Sequence, residues 1–429
     1  MMERSYFMVR ISSLVRRQFI TFTLCWLAYA LIYFGRVNLS VALPDIESDL
    51  GLSKAGLGLI GTIFFWIYGT GQLVNGRLGD SFPSRPFIFA GLFVTALANI
   101  FFGLAGSVPL MLLLWGINGY FQSMLWGPII KTLSHWFSYK KRAAVAIGVS
   151  TSMVGGFLLA WGLSGHLVAT SGWRSAFLVP GIVIGCFSLV WLIFLRERPE
   201  DLGLVSPNTH VARQEDSRKD SFIPLLLKSR LGLIVLACFA QGIIKDGISL
   251  WGPTFILEQW DLSMETTVKA ILIIPLTNLG GMFLASWLNS LLENSERKAI
   301  LLLLTLTIIS LTSLILVGRS SLYFGLVFLA LTSAFMYGAN TLLLGVIPMN
   351  YARIGAVSTI AGFLDFSSYL AAGAASVITG LVVQTFGWNS MLLIWCFSAC
   401  IGAAAIFIDI KRSPRQEKVA TGKKMNAYE

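Results

Sequence analysis

Four ionisable side chains stand in the middle of long apolar stretches: Arg36, Lys245, Asp246 and Asp365. A charge at the centre of a membrane span costs roughly 2.5–3.5 kcal/mol on insertion scales, so its presence asks for a task. Tyr29 and Tyr33 lie seven and three residues before Arg36, and Ser40 four after it, spacings that put all four on one helical face. Arg36 is too far from either end of its stretch for snorkelling to an interface to account for it. Gln241 and Ser249 flank Lys245 at the same helical spacing. A guanidinium binds a phosphate or carboxylate bidentately, whereas an ammonium acts as a compact point charge. Together the two cations could grip one anion. Lys245 could instead pair with Asp365 and only hold helices together, and the two readings are compatible. Asp246 and Asp365 are the candidate charge partners or proton carriers.

Further polar groups recur at depths where a cavity would need them. Gln122 and Trp126 are one turn apart, Ser150, Thr151 and Ser152 are consecutive, Tyr337 precedes Asn340, and Ser368 and Tyr369 follow Asp365. Singly, such residues serve helix packing. As a set they suggest a wet cavity, with Tyr29, Tyr33, Gln122, Trp126 and Tyr337 expected beside Arg36 and Lys245 at the binding site.

Enzyme chemistry finds no support. The sequence has no G-x-x-x-x-G-K-[ST] phosphate loop. His135, His166 and His210 are too scattered for a metal set, and no cofactor is implied. Cys25, Cys186, Cys238, Cys396 and Cys400 all fall in apolar stretches, where a core role is expected rather than a bridge.

The elements that must position these residues follow from composition. Of 429 residues, 55% are hydrophobic and 12% charged, where a soluble protein would carry about a quarter charged. Apolar runs of spanning length fall at 19–44, 53–76, 86–106, 109–136, 143–169, 173–195, 229–257, 266–291, 298–317, 321–347, 353–384 and 388–410. The first is too long for a cleaved signal and is expected to be a retained helix. The predicted fold is therefore all-α and polytopic, with twelve transmembrane helices in two six-helix bundles. The expected organisation is a bundle over 1–196, a linker over 197–222, a second bundle over 223–410 and a basic tail over 411–429.

With the N-terminus in the cytoplasm, 26 of the 32 Lys and Arg fall on that side. Only Lys54, Arg174, Lys269 and Arg319 fall on the other, and Arg36 and Lys245 lie within spans. This is the positive-inside pattern, with both termini cytoplasmic, and it accounts for the net charge of +11 without a nucleic-acid partner. A plasma (inner) membrane location is expected. The chain is expected to act as a monomer in the lipid bilayer.

The halves also look alike. Arg36 with Pro44 and Asp49-Leu50-Gly51-Leu52-Ser53 is matched by Lys245 with Pro253 and Asp261-Leu262-Ser263. Gly172-Trp173-Arg174-Ser175 returns as Gly387-Trp388-Asn389-Ser390. Asp80 falls opposite Asn289. Parallel repeats of this kind place a substrate site where the two halves meet, near the bilayer midplane.

On these residues the chain resembles the major facilitator superfamily, and within it the organophosphate:phosphate antiporters. The resemblance rests on Tyr33-Phe34-Gly35-Arg36-Val37-Asn38, on Gly76-Arg77-Leu78-Gly79-Asp80, on Gly119-Tyr120-Phe121-Gln122 with Trp126, on Arg196-Glu197-Arg198-Pro199-Glu200 and on Trp251-Gly252-Pro253. It implies that Arg36 and Lys245 bind phosphate, and that a phosphorylated metabolite is exchanged for inorganic phosphate by rocking of two bundles. It also implies that Asp80 with Arg85 acts as a switch in the loop after span two. The chain departs from the glycerol-phosphate carriers at Val37, Ser152 and Pro275, and it adds Asp246 and Asp365. With both carboxylates ionised the four charges cancel, so a dianion would have to displace a carboxylate or find one protonated. Two other functions stay open: proton-coupled transport of another organic anion or drug-like solute, and a non-transporting sugar-phosphate sensor.

Overall fold

The computed structural model describes residues 2–138, 141, 145, 148–207, 231–293, 295–348 and 357–412. Among them the chain is helical, without a strand. Eleven helices are long and apolar enough to cross a membrane. We number them α1 (Ser13–Leu50), α2 (Lys54–Gly79), α3 (Ser84–Leu104), α4 (Val108–Trp136), α5 (Gly148–Ser171), α6 (Ser175–Phe194), α7 (Gly232–Gln259), α8 (Met264–Leu291), α9 (Glu296–Leu316) and α10 (Leu322–Val346), followed by a run of Ile360–Arg412. That last run is two helices. Gly387 breaks it at φ 75° and ψ 174°, a region where a side chain would be strained, giving α11 (360–386) and α12 (388–412). Gly172 makes the corresponding break between α5 and α6 at φ 79° and ψ 163°.

By its contacts the chain divides into two compact units, Met1–Glu215 with Asp261–Leu272, and Asp216–Trp260 with Ile273–Glu429. The division falls inside the expected linker, of which 208–222 lie outside the described residues, as do 413–429 of the tail.

Each half closes with the same local chemistry. α1 ends on Gly51 at φ 62° and α7 on Asp261 at φ 49°, left-handed turns that stop each helix. Two residues later Ser53 accepts a hydrogen bond from the Gly56 amide, and Ser263 accepts one from the Thr266 amide. Each is an N-cap worth about 1 kcal/mol to the helix it starts. In the first unit Trp173 Nε1 donates to Asp49 Oδ2 at 3.1 Å; in the second Trp388 Nε1 donates to Glu258 Oε2 at 2.9 Å. The opposite ends also match. Arg85, second residue of α3, donates from Nε to the Leu192 carbonyl of α6 at 2.7 Å; Arg297, second residue of α9, donates to Asp409 of α12 at 2.7 Å.

The outward faces are apolar, as a bilayer requires. Ile182, Leu189 and Ile193 are exposed on α6 together with Cys186, and Phe397 and Ile401 on α12 together with Cys400. The expectation that all five cysteines are core residues therefore holds for Cys25 and Cys238 but not for Cys186 and Cys400. A lipid-facing surface is as apolar as a core, so composition alone could not separate the two.

Candidate functional site

The first unit presents Arg36 from α1 into a nest of aromatic rings. Its guanidinium carbon lies 4.4 Å from the Tyr68 ring centroid, 4.9 Å from Phe64 and 5.3 Å from Tyr33. Phe64 and Tyr68 are one turn apart on α2 and their rings stack at 5.7 Å. The Tyr68 hydroxyl accepts from Gln72 Nε2 at 2.7 Å, which fixes the ring's tilt. Ring faces stabilise a cation by about 0.5–1 kcal/mol at the surface and about 2 kcal/mol when desolvated. They hold the guanidinium plane while its N–H edge keeps the fork geometry that suits an oxyanion.

The stripe predicted on α1 runs on in both directions. Tyr29 packs on Trp126 of α4 at 4.6 Å and on Tyr33 at 5.4 Å, and Tyr33 packs on Phe157 of α5 at 5.5 Å. One turn beyond Arg36, Ser40 accepts from Trp161 Nε1 at 2.9 Å. Trp161 lies in a π-helical turn of α5, Leu159–Ser164. Such a turn takes up one extra residue and re-aims the side chains around it.

Gln122, expected beside the anion, is fully buried. Its Nε2 donates to the Gly35 carbonyl at 3.2 Å and to Asn118 Oδ1 at 3.0 Å. Thr151 Oγ1 accepts from Trp26 Nε1 at 3.0 Å, so the middle member of that Ser-Thr-Ser run ties α5 to α1.

The second unit builds a different surround. Lys245 Nζ bonds Asp246 Oδ1 at 2.9 Å, with side-chain exposures of 8% and 6%. One carboxylate on the lysine is thus that of its neighbour in sequence. Lys245 Nζ also lies 5.5 Å from the Tyr337 ring of α10 and 5.7 Å from the Tyr369 ring of α11. Next to Tyr369, the Ser368 hydroxyl donates to Gln241 Oε1 at 2.9 Å, one turn before Lys245. Asp365 lies one turn before Tyr369 on α11 and is half-buried. The second oxygen of Asp246, Oδ2, is buried and accepts no hydrogen bond among the described residues. Each unit therefore sets one mid-span cation against tyrosines, and in the second a carboxylate is bonded to it.

Of the expected switch pair, Arg85 holds the end of α6 as described above, and the Asp80 side chain lies outside the described residues. Nearby, Lys131 Nζ donates to the carbonyls of Gly79 and Phe82, both at 3.0 Å, and stands 3.7 Å from Glu197. Glu197 in turn accepts from the Ser84 amide at 3.0 Å. These two residues cap the end of α2 and the start of α3; sequence reasoning did not single out Lys131 and quoted Glu197 only within the Arg196–Glu200 motif. Phe64 and Tyr68 were missed as well. Their signal was the Tyr68-Gln72 polar pair one turn apart within an apolar span.

Repeated helical halves, each carrying a cation at mid-span, define a membrane transporter of the secondary type. Residues 25–374 match the Major Facilitator Superfamily, and the chain belongs to it. It is 30% identical over 404 residues to a protein of Chlamydia muridarum (strain MoPn / Nigg) named "Probable hexose phosphate transport protein", covering 88% of this chain and 87% of that one. It is 28% identical over 402 residues to the "Membrane sensor protein UhpC" of Escherichia coli (strain K12), covering 88% and 89%. Its fold matches the crystal structure of a bacterial homolog of the human lysosomal transporter Spinster with a TM-score of 0.74, at 16% identity over 91% of this chain and 96% of that one.

Proposed function

We propose that the protein moves an organophosphate, or a related organic anion, across the membrane by alternating access in exchange for inorganic phosphate. Arg36 and Lys245 are the anion-binding groups in this reading. Tyr29, Tyr33, Trp126 and Tyr337 line the site, and Asp246 and Asp365 set its charge. The observation that carries it is the Arg36 guanidinium held at mid-span by three rings within 4.4–5.3 Å. That cost is borne inside the hydrocarbon, where a buried cation marks a substrate path. The resemblance of the chain to proteins named for hexose phosphate transport supports the same substrate class.

The Lys and Arg distribution supports cytoplasmic termini and an inner-membrane location. Asp80 and Arg85 act on switching rather than binding, so Asp80→Asn should slow exchange and leave equilibrium affinity near normal.

The test is reconstitution into liposomes loaded with labelled phosphate. Release is followed against a panel of external sugar phosphates, carboxylates and phosphate, with and without a pH gradient. Release that needs an external phosphorylated solute supports the proposal. Uptake that needs only the pH gradient would favour proton coupling. Binding without flux would favour a sensor, the role named in the Escherichia coli relative.

A further inference from the structure

Three amide side chains converge on one backbone carbonyl beside the arginine, and a fourth braces one of them. The Gly35 carbonyl accepts from Asn99 Nδ2 at 3.0 Å, from Asn118 Nδ2 at 3.0 Å and from Gln122 Nε2 at 3.2 Å. Asn38 Nδ2 donates to Asn99 Oδ1 and to the Ala176 carbonyl, both at 2.9 Å. Asn38, Asn99, Asn118 and Gln122 are all 0% exposed. They reach from α1, α3 and α4 to the start of α6.

Such a cluster is unusual inside a bilayer. Apolar packing would hold the helices, and each interhelical hydrogen bond contributes little net free energy there. A carbonyl has two lone pairs, so three side-chain donors saturate it. Gly35 itself is shaped for this: a Cβ there would come within 2.6 Å of Ile184 Cδ1 and 3.1 Å of Asn99 Nδ2. The missing side chain lets the amides reach the main chain, and the next residue is Arg36.

We propose that Asn99, Asn118 and Gln122, braced by Asn38, are positioning residues for Arg36. They fix the depth and rotation of α1 at the point where the guanidinium leaves it, so that its fork meets the anion without rearrangement. A displacement of about 1 Å at a binding group can cost orders of magnitude in rate or affinity, which is what a rigid anchor prevents. This proposal rests on the reading of Arg36 as an anion-binding group. None of the four amides needs to touch the anion.

The experiment is a double-mutant cycle on the full chain in detergent, titrated with inorganic phosphate into the millimolar range, with melting temperature recorded in parallel. Asn118→Leu should weaken phosphate binding about tenfold. In an Arg36→Lys background, where the bidentate geometry is already gone, the same change should alter binding less than twofold. A merely structural role would lower the melting temperature and give equal fold-losses in both backgrounds, and that result overturns the proposal. If Asn118→Leu is not recovered folded, Asn118→Ser, which keeps one donor, is carried through the same cycle. Undiminished phosphate binding in Arg36→Lys would sink the anion-site reading itself. Lost binding there, with equal Asn118 effects in the two backgrounds, sinks only the positioning role.

Discussion

Asp246→Asn should make the protein bind phosphate more tightly. Lys245 Nζ and Asp246 Oδ1 are 2.9 Å apart and almost wholly out of solvent, so the ammonium already has an anion on it. At an effective dielectric of 20 two unit charges at that distance attract by about 6 kcal/mol. An incoming phosphate competes against that attraction for the same Nζ. Replacing the carboxylate by an amide keeps the shape and removes that competitor. Most of the 6 kcal/mol is offset by reorganisation and desolvation, and a gain of roughly 1.4–2.8 kcal/mol corresponds to about 10- to 100-fold tighter binding. The unliganded variant should also be less stable, because removing one partner of a buried ion pair costs roughly 3–5 kcal/mol.

Both effects appear in one assay. Melting curves of Asp246→Asn should start below wild type, and phosphate should raise them by more than it raises wild type, since a ligand that binds only the folded state stabilises in proportion to its affinity. Lys245→Gln should lose both stability and phosphate response. The double change should recover the stability but not the response, because an absent pair costs less than an unpaired charge. Unchanged or weaker phosphate binding in Asp246→Asn would refute the idea that Asp246 and the anion compete for one lysine.

Three further outcomes follow from the first unit and from α11. Arg36→Ala should abolish phosphate exchange while the protein still reaches the membrane, and Arg36→Lys should lose a bidentate contact worth roughly 1.5–3 kcal/mol per charged bond, read as weaker phosphate binding in titration. Tyr68→Leu removes the ring 4.4 Å from the guanidinium and should cost about 0.5–2 kcal/mol of binding, whereas Tyr68→Phe should stay near wild type. Asp365→Asn should leave exchange between equal phosphate pools intact at any imposed pH gradient. Loss of uptake driven by that gradient would instead make Asp365 a proton carrier.

The spans were legible because hydrocarbon is an unforgiving solvent: every backbone group must bond within its own helix, so spanning helices read as long apolar runs. Only the break at Gly387 separates what would otherwise be one helix from the twelve expected, and the Gly-Trp repeat at 172 and 387 had already marked it. Arg36 and Lys245 were legible for the same reason, as costs without an obvious benefit. Their surrounds were not. Phe64 and Tyr68 look like ordinary apolar span residues until α2 packs on α1, and nothing in the spacing of Asn99, Asn118 and Gln122 says that all three serve one carbonyl. Long-range convergence of that kind is a property of packing, which one-dimensional periodicity does not carry. The bond from Lys245 to Asp246 was not legible because adjacent residues on a helix point about 100° apart, and only the flexible lysine stem lets them meet.

Comparison of the halves shows what a duplicated helical unit keeps and what it changes. The ties at the helix ends are kept with their donors and geometry: Trp173 to Asp49 and Trp388 to Glu258, Arg85 to Leu192 and Arg297 to Asp409. These set the frame, and a frame tolerates Asp for Glu or a carbonyl for a carboxylate, since each still accepts one charge-assisted or neutral hydrogen bond. The residues at mid-span diverge in chemistry. Arg36 is braced by rings and by an amide cluster behind it, whereas Lys245 is matched with a carboxylate whose second oxygen accepts no hydrogen bond among the described residues. A rigid fork and an exchangeable point charge are suited to different tasks. In the proposed function the first would fix the orientation of an anion, and the second would set how tightly one is held and how readily it leaves. Under the proposed exchange, an anion on Lys245 with no competing carboxylate would bind well and turn over slowly. Asp246→Asn should therefore slow phosphate exchange at saturation even as it tightens binding, and faster exchange together with tighter binding would contradict that division of labour.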